Sequence, residues 1–105
     1  MTAEDFVECC AKEREYFLQS CLNPDSKTLV AQEIASLNLD DRQNEIMRSA
    51  VGNLLTDVFY TFLLALDGTA SLGGKQVSYK LSDEEGNELT GELEGLAWER
   101  FHGKN

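Results

Sequence analysis

Residues 40–68, DDRQNEIMRSAVGNLLTDVFYTFLLALDG, decide the fold because they predict one long helix. Asp40 followed three residues later by Gln43 is a capping-box pattern, which is typical of a helix start. Gly68 favours the left-handed backbone conformation at which helices commonly stop. A helix of about 26 residues is roughly 39 Å long at 1.5 Å per residue. A break near Gly52 is the alternative to a continuous helix.

Apolar side chains recur along this helix at three- and four-residue steps, which places them on one face. After Asp57 the polar side nearly closes, so we expect the last turns to be buried on all sides. The predicted core face consists of Met47, Val51, Leu54, Leu55, Val58, Phe59, Phe62 and Leu66. The other elements are therefore expected to pack around residues 51–66.

An earlier helix is predicted near the N-terminus. Thr2 and Asp5 form a second capping-box pattern, so this helix is expected over residues 3–22 and is stopped just before Pro24. Its apolar face consists of Phe6, Val7, Cys10, Phe17, Leu18 and Cys21. Burial against the long helix is the expected role of this face.

A shorter helix is predicted between these two. Asp25 or Ser26 is expected to cap it, and it should end near Asn38. Its predicted buried side consists of Leu29, Val30, Ile34 and Leu37. The first two thirds of the chain thus predict three helices joined by short links, which favours neighbours that pack alongside one another.

After Gly68 the period of the apolar residues changes from helical to two. Residues 75–82 and 88–94 alternate like half-buried strands, and residues 83–87 between them have the composition of a turn. This pattern predicts a β-hairpin, which must cover its apolar face with the helices or extend a partner's sheet. Residues 95–103 suit either a third strand or a short helix that ends at Gly103, and we favour the helix.

The predicted fold class is therefore α+β, with a three-helix core, a long central helix, a C-terminal antiparallel β-hairpin and a short terminal helix or strand. A chain of 105 residues that is 42% hydrophobic suits one domain over residues 1–105. Its helical part is expected at 1–68, and its hairpin and terminal segment at 75–102.

The chain is strongly acidic, with a formal net charge of −10 and a pI near 4.4. Nucleic acid and anionic membranes should be repelled, and a basic partner is favoured. Solubility is an equally ordinary reason for such acidity in small bacterial cytoplasmic proteins. The N-terminus has no signal-peptide pattern, and the strongly apolar run 62–66 is too short to span a membrane. We therefore expect a cytoplasmic protein without a membrane association.

Sequence motifs give no sign of an enzyme, a cofactor or a metal site. Cys9 and Cys10 are neighbours outside any CxxC spacing, and His102 is the one histidine, which argues against zinc. The segment SDEEGNE has its glycine too early for a calcium-binding loop. We expect a non-enzymatic protein with no catalytic residues.

The segment 83–94 carries six acidic residues and no basic one. These residues are Asp83, Glu84, Glu85, Glu88, Glu92 and Glu94. In a hairpin, Glu88, Glu92 and Glu94 would share one strand face, so their charges would add on one side of the molecule. We interpret the segment as an acidic docking surface for a basic protein. A solvated outer face, or charge that protects an edge strand, is the alternative.

The stretch DVFYTFLLALDGTASLGG, which begins at Asp57, and the later stretch SYKLSDEEGNELTGELEGLAWERFH resemble small bacterial immunity-type proteins encoded beside secreted polymorphic toxins. The resemblance implies a cytoplasmic protein that binds and neutralises one cognate toxin domain, commonly a nuclease. The acidic surface would then cover a nucleic-acid-binding cleft. The alternative is an acidic secretion chaperone that acts as a homodimer, and the sequence leaves both a monomer and a homodimer open.

Overall fold

A computed structural model describes residues 1–103 and shows four helices within them. Lys104 and Asn105, the last residues of the predicted domain, lie outside the described residues. The helices are α1 (Ala3–Leu22), α2 (Leu29–Ala35), α3 (Asp41–Leu66) and α4 (Leu93–Phe101). Helices α1, α3 and α4 contact one another in pairs, whereas α2 packs against α1 alone.

The predicted bounds of α1 and the start of α3 are confirmed, because both capping boxes form. The Thr2 hydroxyl accepts from the Asp5 amide at 3.0 Å, and the Asp5 carboxylate accepts from the Thr2 amide at 3.1 Å. Asp40 and Gln43 make the same reciprocal pair at 2.8 and 3.0 Å. These signals act over three residues, so they determine the helix starts without help from the rest of the fold.

The predicted cap of α2 is wrong. Thr28 caps the helix, since its hydroxyl accepts from the Ala31 amide. Ser26 is engaged instead with the hydroxyls of Ser20 and Thr28, so its oxygen does not cap the helix. The chain leaves α2 through Asn38, whose positive φ of 52° is tolerated by this residue type.

The predicted core face of α3 is partly wrong, because three of its eight residues are exposed and the other five are half-buried. Leu54, Val58 and Phe62 are 62, 53 and 49% exposed, whereas the buried positions of α3 are Gly52, Leu63 and Ala65. Helices α1 and α4 both pack against α3. The central core cluster consists of Val7, Leu63, Leu93 and Ala97.

Helix α3 is continuous through Gly52, so the alternative of a break there is wrong. Gly52 lies where α1 packs closely against α3. A side chain at this position would lie 3.2 Å from Arg14 Nη2 and 3.7 Å from Leu18. Arg14 donates to the Gly52 carbonyl at 2.9 Å and to the Thr56 hydroxyl at 2.7 Å. The glycine therefore allows close helix contact and exposes a carbonyl that Arg14 binds.

The predicted α+β class and its β-hairpin are wrong, because residues 1–103 contain no β-strand. Two isolated antiparallel bridges, Leu72–Lys75 and Ser82–Glu88, are the β-type pairings within this part of the chain. The turn at 83–87 does form, with the Gly86 amide bonded to the Asp83 carbonyl and a φ of 87° at Gly86. The fold described is all-α, with a long ordered loop between α3 and α4.

Backbone donors that a hairpin would use are taken by other groups. The Tyr79 amide donates to the carbonyl of Leu66, at the end of α3, at 3.1 Å. The Leu81 amide donates to the Thr90 hydroxyl at 3.2 Å. Two cross-bonds remain, from the Leu89 amide to the Leu81 carbonyl at 2.7 Å and from the Asp83 amide to the Asn87 carbonyl at 3.1 Å. They form the isolated Ser82–Glu88 bridge, and the ladder does not continue beyond it.

The short terminal helix is confirmed as α4, although it begins at Leu93, ahead of the predicted segment. It ends with the amides of His102 and Gly103 donating to the Trp98 carbonyl at 2.8 and 2.7 Å. Leu93 and Ala97 are completely buried, so α4 presents its opposite side to solvent.

Candidate functional site

The six predicted site residues do not share a strand face. Their positions are the 83–87 turn for Asp83, Glu84 and Glu85, the isolated bridge for Glu88, and the start of α4 for Glu92 and Glu94. The predicted addition of charge along one strand is therefore wrong, because the strand does not form. The turn with the bridge that closes it, and the start of α4, hold the acidic residues instead.

Asp83 is a structural residue of the turn. Its carboxylate accepts from the Glu85 amide and the Asn87 amide at 3.0 Å, and from Asn87 Nδ2 at 3.0 Å. It also pairs with the Met1 ammonium at 3.1 Å. The bonds from the Asn87 side chain and backbone, together with the N-terminal ammonium, hold the pKa of Asp83 far below its usual range. This carboxylate ties the turn to the start of α1.

The other five acids, Glu84, Glu85, Glu88, Glu92 and Glu94, are exposed. We call them the acidic surface. Within residues 1–103, the ion pairs to side-chain carboxylates are Met1–Asp83, Arg14–Glu15 and Arg100–Glu8, so none involves the acidic surface. Its charge is not neutralised by lysine or arginine residues in the described part of the chain.

Asp67, the residue that follows α3, fixes the start of α4. Its carboxylate accepts from the amides of Gly91, Leu93 and Glu94 at 2.7, 2.6 and 3.2 Å. The sequence signal for this contact is Glu92, the residue before α4. Its side chain makes no cap bond, so the first amides of α4 need an acceptor from elsewhere in the chain.

An aromatic cluster lies beside the acidic start of α4. Trp98 is 55% exposed, and its ring centroid is 6.4 Å from that of Tyr60 and 5.2 Å from that of His102. Tyr60 and His102 meet edge to face at 4.7 Å. We call these three residues the aromatic cluster. The sequence did not indicate this contact of His102, because its neighbour on α3 is 42 positions away in the chain.

Three surface pockets have volumes of about 360, 200 and 440 Å³, and none is lined by Asp57, Tyr60 or His102. The third is lined by Arg14 and Arg100, but Arg14 bonds Gly52 and Thr56, and Arg100 bonds Glu8 at 2.8 Å. Within the described residues, no group of three His, Cys, Asp or Glu side chains is placed to hold a metal ion.

The cysteines are free thiols: Cys9 is exposed, whereas Cys10 and Cys21 are half-buried. Burial raises the pKa of the Cys10 thiol, and the neighbouring Cys9 and Glu13 add to this effect. Cys10 is therefore a poor nucleophile at neutral pH.

By length and composition alone, α3 is long and apolar enough to cross a membrane, and only 17% of its most apolar 18-residue window is buried. One such helix is weak evidence for a membrane span, because the core helix of a soluble protein passes the same test.

No protein-family model matches the chain, and comparisons with curated proteins and with solved structures give no match either.

Proposed function

We propose that this chain is a cytoplasmic, non-enzymatic immunity-type inhibitor that binds one basic cognate toxin domain and occludes its active cleft. The observation that carries the proposal is the acidic surface, five exposed glutamates that no lysine or arginine within residues 1–103 neutralises. A nuclease is the toxin class that fits best, because a cleft that binds nucleic acid is basic.

The acidic surface has two means of acting on such a partner. The net charge of −10 attracts a basic domain over distance and accelerates its encounter with the inhibitor. At contact, glutamates held on a fixed turn and a fixed helix start lose little freedom on binding. Asp83 supports the turn by accepting four hydrogen bonds, and Asp67 supports the helix start by accepting three.

The test is co-expression and pull-down with the toxin domain encoded by the adjacent gene. The variant Glu84→Gln/Glu85→Gln/Glu88→Gln should lose capture and protection from toxicity. The control Glu4→Gln/Glu13→Gln/Glu33→Gln removes equal charge from exposed positions on α1 and α2 and should retain both. Absence of binding by the wild type, or equal loss in both variants, would contradict the proposed surface.

The second candidate is an acidic secretion chaperone that acts as a homodimer. Leu54, Val58 and Phe62 favour it, because four-residue steps place these exposed side chains on one face of α3. With the half-buried Met47, Val51 and Leu55 they form the outer stripe, whose steps of 4, 3, 1, 3 and 4 residues read the same in both directions. A two-fold axis between Leu54 and Leu55 would pair the stripe with itself in a second copy.

The size of the outer stripe sets how strong such a dimer would be. From Met47 to Phe62 the stripe is roughly 24 Å long and about 10 Å wide, well below the roughly 800 Å² per partner of a standard interface. The expected dimer is therefore weak and concentration-dependent. A monomer at all concentrations favours the inhibitor, and a concentration-dependent dimer favours the chaperone.

A further inference from the structure

The solvent side of α4 combines an acid, an open position and an exposed aromatic ring. Trp98 lies four residues after Glu94, three after Gly95 and four before His102, so these residues lie on the side of α4 away from the buried Leu93 and Ala97. Tryptophan is the residue type most enriched where partners bury a side chain. Trp98 is 55% exposed here, so its ring is available to a partner.

Two neighbouring rings contact the ring of Trp98 in the free chain. Tyr60 reaches it from α3 at 6.4 Å, and His102 reaches it from the end of α4 at 5.2 Å. Tyr60 and His102 contact each other as well, at 4.7 Å, so the three rings form a closed group. A ring held in this way loses little side-chain entropy on binding.

The surroundings of the ring are open and acidic. A Cβ added at Gly95, three residues before Trp98, would meet nothing within 4 Å. Glu94, four residues before Trp98, is exposed on the same face of α4. Asp57 is exposed on α3, one turn before Tyr60. A cation is therefore the complementary ligand for this face.

We propose that Trp98 and Glu94 form a binding site for an arginine side chain of a basic partner, with Tyr60 and His102 as positioning residues. The inference rests on the proposed function for the identity of the partner. A planar guanidinium stacks on an indole face and forms two parallel bonds to a carboxylate, whereas a lysine ammonium is a compact, strongly hydrated charge. The site therefore selects arginine over lysine.

The experiment uses Trp98, the one tryptophan of the chain, as its own fluorescence reporter. Blocked tetra-arginine, tetra-lysine and tetra-glutamine peptides are titrated into the full chain at about 0.15 M ionic strength, where the Debye length is about 8 Å. Tetra-arginine should change the emission saturably and bind about two- to five-fold more tightly than tetra-lysine, the range of an exposed cation–π contact. Tetra-glutamine should have no effect.

Variants separate the site from general charge attraction. Glu94→Gln should weaken tetra-arginine binding about two- to five-fold. Glu33→Gln removes the same charge from α2, which packs against α1 and not α4, and should leave binding unchanged. Trp98→Leu, measured by calorimetry, should bind both basic peptides equally. Circular dichroism confirms the fold of each variant.

Equal affinity for the two basic peptides, or a Trp98→Leu variant that keeps the arginine preference, overturns the site. If Trp98→Leu captures the toxin domain as well as the wild type does, while the triple glutamine variant fails, the proposed function stands and the arginine site falls. If the arginine preference depends on Trp98 but no toxin domain is captured, the site stands and the proposed function falls.

Discussion

The carboxylate of Asp67 joins two helices that are distant in the chain, since it holds three amides at the start of α4. Asp67→Ala should lower the free energy of unfolding by about 1–3 kcal/mol, because the Leu93 amide would lose its acceptor in a partly buried place. Urea denaturation followed by circular dichroism measures the change. Asp57→Ala, an exposed change on the same helix, should stay within about 0.5 kcal/mol. Equal effects would show that the Asp67 contacts contribute nothing.

Asp83 should make stability depend on acid pH. Its pKa is lowered in the folded chain by the bonds from Asn87, so the unfolded chain binds the proton more tightly. Its contribution is therefore fully present above the unfolded pKa of about 3.9 and is lost as pH falls towards the lower folded pKa. Asp83→Asn should flatten the decline of the free energy of unfolding below about pH 4. Glu84→Gln should not, and identical acid slopes for wild type and Asp83→Asn would refute the assignment.

Single residues also mark where sequence reasoning reaches its limit. The pairs Thr2–Asp5 and Asp40–Gln43 were predictable because each partner lies three residues from the other. The donors to the Asp67 carboxylate lie 24 to 27 positions later in the chain, so no local pattern identifies them. Composition gives the number of acids in segment 83–94, and it does not show which carboxylate the fold itself uses.

At the scale of elements, two glycines provide a matched test of helix packing. Gly95→Ala should stabilise the fold by about 0.5–1 kcal/mol, because alanine is the better helix former and its Cβ meets nothing within 4 Å. Gly52→Ala should instead destabilise by about 1 kcal/mol, since its Cβ would lie 3.2 Å from an Arg14 side chain held by two hydrogen bonds. Thermal unfolding ranks the two variants, and a stabilised Gly52→Ala would show that Arg14 moves freely.

The helices were more predictable than the hairpin for a physical reason. A helix bonds its own backbone, so capping residues and period suffice to predict it. The alternation of apolar and polar residues at 75–94 shows which side chains are apolar. A strand also needs free backbone amides that can donate to the neighbouring strand. Tyr79 and Leu81 donate to Leu66 and Thr90 instead. The buried face of α3 was predicted partly wrongly for a related reason. The spacing of apolar residues does not show which side of the helix its neighbours cover.

For the whole molecule, the candidate site combines residues that the sequence predicts with residues that only the packing of the helices brings together. The acidic surface follows from the chain's charge, and its five glutamates could be named from the sequence. The aromatic cluster could not, because Tyr60 and Trp98 come together only when α4 packs against α3. Exposure of Trp98 is a property of that packing.

Salt separates the two candidate functions, because charge acts on them with opposite sign. Two copies of a chain with net charge −10 repel each other, so salt should strengthen a dimer formed through the outer stripe. Salt should weaken capture of a basic toxin domain for the same electrostatic reason. Sedimentation velocity over a concentration series at low and high salt measures the first effect, and pull-down at both salts measures the second.

Substitutions identify the face that a dimer would use. Val58→Glu places a charge in the outer stripe and should abolish self-association, because the stripe would then bury two unpaired carboxylates per dimer. Leu29→Glu makes a comparable change on α2, where Leu29 is 79% exposed, and should leave association unchanged. If both variants weaken the dimer equally, net charge rather than the stripe controls it. A wild type that stays monomeric at high salt and high concentration removes the chaperone candidate and leaves the acidic surface as the route to a partner.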